Sequence, residues 1–140
     1  MLELVTDLAV TLGYAGVGIL LMGIGAVLVD VATPGSLRHL IWVERNANAA
    51  VLLASNLVAV GVIATTAIVA SDGHFAQGIA ATVGYGLIGL LVMTVAFVVV
   101  DMLTPGRLGE LLVHPQPHPA VWITAAVHLA VGAIIAAAIL

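Results

Sequence analysis

Four long apolar segments constrain the fold of this chain more than any other feature of its sequence. They lie at residues 11–31, 49–70, 79–103 and 119–140. A helix needs about 20 apolar residues to cross roughly 30 Å of hydrocarbon, so each segment is long enough to span a membrane. Because 63% of the residues are hydrophobic, against ~45–50% in soluble domains, the sequence predicts an all-α membrane protein with four transmembrane helices.

The sequence also contains an internal repeat. Residues 13–35 align without a gap onto residues 84–106, an offset of 71 residues. This predicts one compact membrane domain built from two copies of a two-helix unit, residues 1–71 and 72–140. Because each unit crosses the membrane twice, the two copies share one orientation, which predicts parallel repeats.

A Thr-Pro-Gly triplet predicts where the first and third helices end. Proline disfavours helix in the residue before it, and glycine permits a tight turn. The predicted turn residues are Thr33, Pro34, Gly35, Thr104, Pro105 and Gly106. After each triplet, apolar residues recur at i, i+3 and i+4, which predicts a short amphipathic interfacial helix after the first and third spans, with Trp42 as an interfacial anchor.

Asp30 and Asp101 precede the two triplets at equivalent positions of the repeat and are the candidate cation-binding residues. A carboxylate near the end of a helix faces the negative end of the helix dipole, which is unfavourable. Two interpretations stay open. The aspartates are structural and bond backbone donors of the turn or an arginine, or they form a proton or cation site at the mouth of a central path. Both interpretations explain the duplication.

Small residues predict where the helices pack against each other or against another subunit. Residues seven apart lie within about 20° of each other on a helix, so Gly16 and Gly23 share the side of Asp30, and Thr94 shares the side of Asp101. The predicted packing residues are Gly16, Gly18, Gly23, Gly25, Ser55 and Ala59. Since Gly18 and Gly25 lie opposite Gly16 and Gly23, the first helix is expected to pack on two sides.

Polar residues inside the spans are the remaining candidates for a pathway or for helix packing. They are Asn56, Thr94, Thr124 and His128. An ionisable residue halfway along a membrane helix indicates function. A hydrogen bond to Thr124 or to a neighbouring helix would equally satisfy His128, whose counterpart in the first copy is Leu57.

The composition argues against several functional classes. Three basic residues and a net charge of −4 leave no basic patch for nucleic acid. The sequence has no cysteine, which excludes thiolate chemistry. The prolines of HPQPHP forbid a helix, so His114 and His118 would stand about 12 Å apart in an extended segment. No catalytic constellation can be assembled at one depth, and we expect no enzyme activity, no metal and no cofactor.

The arginines predict the orientation. Arg38 and Arg45 lie between the first and second segments, and Arg107 lies between the third and fourth. Loops rich in arginine and lysine stay in the cytoplasm. Both termini are therefore predicted to lie outside.

Two features are typical of one known family. They are the motif D-x-x-T-P-G at 30–35 and 101–106 and the segment ERNANAAVLLASNLVAVG at 44–61. In both, the chain resembles the Domain of Unknown Function 350 family of four-span bacterial inner-membrane proteins. The second copy departs from that pattern, since HPQPHP stands where the Asn-Ala stretch would be, which leaves open whether a role of Asn46 is duplicated. The resemblance implies no established activity. It does imply that the gene lies beside genes for membrane-stress proteins of the phage-shock type and for polyamine-synthase-like enzymes.

Two functional hypotheses follow from that resemblance. In the first, a homo-oligomer in the lipid bilayer is a conduit for protons, metal cations or polyamines, with Asp30 and Asp101 as coordinating acids. In the second, the protein is a non-conducting anchor whose loops, 32–48 and 104–118, recruit a cytoplasmic stress-response protein. The docking face would then comprise Arg38, Trp42, Glu44 and Arg107.

Overall fold

The computed structural model describes residues 1–71 and 74–140, with only the backbone described at Leu108 and Leu112. Its helices, within these ranges, are α1 (Leu2–Ala32), α2 (Leu37–Trp42), α3 (Ala47–Val69), α4 (Phe75–Leu103), α5 (Leu108–Val113) and α6 (Ala120–Ile139). The four long helices, α1, α3, α4 and α6, are each apolar and long enough to span a membrane. The prediction of an all-α membrane protein with four transmembrane helices is confirmed.

Helix α1 begins at Leu2, ahead of the span predicted from residue 11. Its first turns carry the charged residues Glu3 and Asp7. They form a helix because they contain neither proline nor glycine. The hydroxyl of Thr6 also donates to Leu2 O at 3.0 Å within the helix. The helix has 31 residues and is therefore about 46 Å long, more than roughly 30 Å of hydrocarbon requires. The charged turns thus extend the helix beyond its apolar span.

Helix α3 is the central helix of the bundle and packs against α1, α4 and α6. Asn46 starts it, because its side-chain oxygen accepts a hydrogen bond from Ala49 N at 3.1 Å and satisfies a donor of the first turn. Against α6 the backbones approach closely, since a Cβ added to Gly132 would lie 3.0 Å from Ala59 Cα. Small residues permit this approach where lipid supplies no hydrophobic driving force.

Buried apolar side chains form two clusters at different heights of the bundle. One contains Leu52 and Val121 and packs under α2. The other contains Ala59 and Ile63. Between Leu52 and Ala59, helix α3 carries the polar pair of residues 55 and 56, so a polar layer separates the two apolar clusters.

The two Thr-Pro-Gly turns end α1 and α4, as the triplets predict. The glycines have φ of +91° at Gly35 and +95° at Gly106, a left-handed conformation that disfavours other residues. Helices α2 and α5 follow directly. On α2, Leu37 and Leu40 are buried while Arg38 is exposed, so this helix is amphipathic. Its location at the membrane surface stays a prediction, as does the parallel symmetry of the two halves.

Candidate functional site

The Asp30 side chain belongs to the turn that follows α1. Its Oδ1 accepts a hydrogen bond from Leu37 N at 2.6 Å, and Leu37 is the first residue of α2. The first N–H groups of a helix have no partner within the helix, so the carboxylate supplies one and lies at the favourable end of the α2 dipole. The hydroxyl of Thr33 donates to Val29 O at 2.8 Å in the same turn.

The Asp101 side chain lies beside a cavity. It is half-buried and lines an open cavity of about 240 Å³ between the end of α1 and the start of α5. Arg107 and Glu110 line the same cavity and form an ion pair with 3.8 Å between Nη1 and Oε1. We call this space the mouth cavity. Asp101 therefore lines a cavity to which Asp30 does not contribute.

Three of the four polar residues predicted for the spans meet at a second cavity. Asn56 of α3, Thr94 of α4 and His128 of α6 line a space of about 30 Å³, which we call the central cavity. The fourth residue, Thr124, is buried elsewhere, and its hydroxyl donates to Ala120 O at 3.0 Å. The sequence identified these residues, but only the packing of three helices brings them together.

Hydrogen bonds to Ser55 fix the tautomer of His128. Ser55 Oγ lies 2.9 Å from Leu52 O and 3.0 Å from His128 Nδ1. A hydroxyl has one proton, and a carbonyl oxygen can only accept, so both contacts are hydrogen bonds only when Ser55 donates to Leu52 and accepts from Nδ1–H. In the neutral ring the second nitrogen, Nε2, is then a lone-pair acceptor. Phe97 stacks on the imidazole with ring centroids 6.3 Å apart.

Asn56 carries a buried acceptor without a hydrogen-bond partner. The residue is 5% exposed, and its Oδ1 has no partner among the described residues. A Cβ on Gly25 would lie 2.8 Å from this oxygen. Because glycine has no Cβ, the Asn56 amide can pack closely against α1. An unsatisfied buried polar atom costs about 1–3 kcal/mol and needs an explanation such as a bound water or ligand.

A thin wall separates the two cavities. Ala32 and Phe97 line both of them. Along α4, Thr94, Phe97 and Asp101 are spaced i, i+3 and i+7 and so lie on one face, with Thr94 and Asp101 about 10 Å apart along the axis. The aromatic ring thus stands between the acid of the mouth cavity and the polar residues of the central cavity.

The predicted packing residues divide into two groups. Ser55 and Ala59 pack in the contact of α3 with α6, and Gly25 faces α3 and α4. The other three predicted packing residues, Gly16, Gly18 and Gly23, have open space where a Cβ would be. Their packing against a second subunit stays a prediction.

The residues predicted as a docking face are exposed. Trp42 is 77% exposed, and Arg38, Glu44 and Arg107 are also exposed. Glu44 lies 3.4 Å from His39 Nε2, which makes an ion pair when the histidine is protonated. Exposure is required of a docking surface and equally of a side chain at a membrane surface.

Two asparagines, 46 and 48, join the two halves of the chain. Asn46 Nδ2 donates to His114 O at 3.2 Å, and Asn48 Nδ2 donates to Gln116 O at 2.8 Å. Asn48 Oδ1 accepts from His118 N at 3.1 Å. We call these contacts the asparagine clasp, and the sequence did not predict them. The available signal was the departure of the second copy, where HPQPHP replaces the Asn-Ala stretch.

The chain is similar to known proteins over nearly its whole length. A family model described as "Domain of Unknown Function (DUF350)" matches residues 3–139. A UPF0719 transmembrane protein of Mycolicibacterium paratuberculosis (strain ATCC BAA-968 / K-10) is 36% identical over 129 residues, 92% of this chain and 85% of the relative. A UPF0719 transmembrane protein of Mycobacterium bovis (strain ATCC BAA-935 / AF2122/97) is 39% identical, with the same coverage. No solved structure matches the chain.

Proposed function

This chain belongs to the Domain of Unknown Function 350 family, whose name assigns no activity, and we propose from its internal geometry that it is a conduit for small cations in the bacterial inner membrane. One observation carries the proposal. Phe97 and Ala32 line both the mouth cavity and the central cavity, so a single layer of side chains separates an acidic entrance from a polar site inside the bundle. Intramembrane polar residues that line cavities are typical of ion pathways.

Charge supports an entrance at the mouth cavity. Asp101, Glu110 and Arg107 line it, so acids outnumber bases among its lining residues. A cleft with an excess of one sign of charge concentrates ions of the opposite charge. Asp30 does not serve this entrance in the proposal, because it is not among the residues that line the mouth cavity.

Apolar side chains bound the central cavity in both directions along the bundle. The Phe97 ring lies towards the mouth cavity, and the apolar cluster of Leu21, Ile63 and Leu90 lies towards the opposite end of the bundle. Apolar constrictions of this kind gate channels by excluding water. The proposal therefore places the site between two apolar gates, which open one at a time.

The proposal includes a homo-oligomer. Gly16, Gly18 and Gly23 leave an open face on α1, and small residues are what membrane helices present to a neighbouring subunit. Because the two cavities lie within one chain, the oligomer would stabilise the bundle and would not form the path itself.

Flux measurements in proteoliposomes test the conduit. Protons, potassium and spermidine are offered under an imposed potential to the wild type, to Asp101→Asn and to Asp30→Asn as the repeat-matched control. We expect the wild type to carry at least one of these cations, Asp101→Asn to reduce that flux by about tenfold, and Asp30→Asn to retain it. A wild type that carries none of them, in a form that is inserted and folded, would rule the conduit out.

The exposed face of Arg38, Trp42, Glu44 and Arg107 favours a second candidate, the non-conducting anchor for a cytoplasmic stress-response protein. This face lies at the same end of the bundle as the mouth cavity, since Arg107 belongs to both. The flux experiment separates the two candidates. A folded wild type without cation flux leaves the anchor as the better proposal.

A further inference from the structure

The polar residues of the central cavity occur only once in the repeat. Asn56, Thr94 and His128 come from three different helices. Their counterparts at the 71-residue offset are Val127, Gly23 and Leu57. Duplication therefore accounts for Asp30 and Asp101 but not for these three side chains, and their convergence on one space requires its own explanation.

Each of the three side chains has an acceptor that the hydrogen bonds within the bundle leave available. The Thr94 hydroxyl donates its proton to Leu90 O at 2.8 Å, which leaves its oxygen lone pairs. His128 Nδ1–H is used by Ser55, which leaves the Nε2 lone pair. Asn56 Oδ1 has no partner among the described residues. A ligand that donates hydrogen bonds, or a cation, satisfies these acceptors, while the Nδ2 group of Asn56 remains a donor.

The size of the cavity limits the ligand further. A water molecule needs about 10–15 Å³ of space measured in the same way, and the central cavity offers about 30 Å³. By that measure the cavity holds about two or three water-sized groups. A fully hydrated potassium ion and a polyamine chain are both too large for it.

We infer that the central cavity is a proton-binding site and that the proton is the cation of the conduit, an inference that rests on the proposed function. A hydronium ion held by Asn56 Oδ1 and Thr94 Oγ1 transfers one proton to the lone pair of His128 Nε2. One O–H bond breaks, one N–H bond forms, and a water molecule remains in the cavity. Release towards the other side reverses the same transfer.

The surroundings of His128 leave it as the titratable group of this site. From α3 it faces Ser55 and Asn56, and from α4 it faces Phe97. The acid of α4, Asp101, lies in the mouth cavity beyond Phe97. On α1 the cavity is lined by apolar side chains, and the carboxylate of Asp30 binds Leu37 N in the turn beyond them.

Ion selectivity and one substitution test the inference. The flux of protons, potassium and spermidine is compared in proteoliposomes of the wild type, His128→Gln and Thr82→Val. Glutamine keeps hydrogen-bonding groups but cannot take up the proton. Thr82 is the control, because it is buried outside the cavity and donates to Gly78 O. We expect the wild type to carry protons alone, His128→Gln to fall to the level of protein-free liposomes, and Thr82→Val to match the wild type.

The outcomes distinguish the two proposals. Flux of potassium or spermidine, or proton flux that His128→Gln leaves unchanged, overturns the proton site and leaves the conduit standing. A folded wild type that carries no cation overturns both.

A second measurement does not depend on a variant that folds. Nitrogen NMR of histidine-labelled wild type in nanodiscs is expected to show one ring, among the five histidines, as the Nδ1–H tautomer that gains a proton at Nε2 on acidification. A ring of that tautomer that never takes up a proton overturns the inference.

Discussion

Asp30 and Asp101 occupy equivalent positions of the D-x-x-T-P-G motif. Asp30 accepts a hydrogen bond from Leu37 N, which is what the structural interpretation of the sequence expects. Asp101 lines the mouth cavity. This cavity lies where α5 meets the end of α1, and a Cβ on Gly109 would lie 2.9 Å from Pro34 Cδ there. The motif predicted the turn in both copies, but the cavity beside Asp101 depends on how the two halves pack.

Substitution of Asp30 separates its charge from its hydrogen bond. Alanine leaves Leu37 N–H without its acceptor, and we expect the free energy of unfolding to fall by about 0.5–2 kcal/mol, as for the loss of a helix cap. Asparagine keeps an acceptor oxygen and should lose much less. Reversible unfolding in mixed micelles measures both. Equal losses for alanine and asparagine would show that the negative charge, and not the hydrogen bond, stabilises the turn.

At the scale of helices, the sequence predicted each element and missed how the elements are joined. Apolar length is a local property, so the four spans were recognised directly. The contacts of Asn48 with residues 114–118 join positions up to 70 residues apart, and no local pattern encodes them. The central cavity is similar. Thr94 was assigned to the face of Asp101, but its meeting with Asn56 and His128 depends on the rotation of three helices about their axes.

Two glycines at equivalent positions of the repeat test the close contact of α3 with α6. A Cβ at Gly132 would lie 2.9 Å from Ala59 Cβ and 3.3 Å from Ala59 O, and a backbone oxygen cannot move aside. We expect Gly132→Ala to lower the free energy of unfolding by about 1–3 kcal/mol, as overpacking does. Gly61 has open space, so Gly61→Ala should be neutral or slightly stabilising. Equal effects at the two positions, measured by the same unfolding assay, would contradict the packing described for this helix pair.

At the scale of the whole molecule, packing gathers the basic charge at one end. The asparagine clasp holds the segment after α2 against the segment after α5. Arg45 lies in the first of these segments, Arg38 lies in α2, and Arg107 directly precedes α5; all three are exposed. The mouth cavity opens at the same end, because Arg107 lines it. Whichever side of the membrane holds the arginines therefore also holds the entrance of the proposed conduit.

Single cysteines determine that side, because the natural chain contains none. Val43 is 66% exposed beside α2, and His74 is exposed at the opposite end of the bundle. Translocating arginine is unfavourable, so loops that carry it remain in the cytoplasm. We expect His74→Cys to react with an impermeant maleimide in intact spheroplasts and Val43→Cys to react only after permeabilisation. Ala49→Cys is the buried control and should react only on unfolding. The reverse pattern would place the termini inside, and Asp101 would then receive cations from outside the cell.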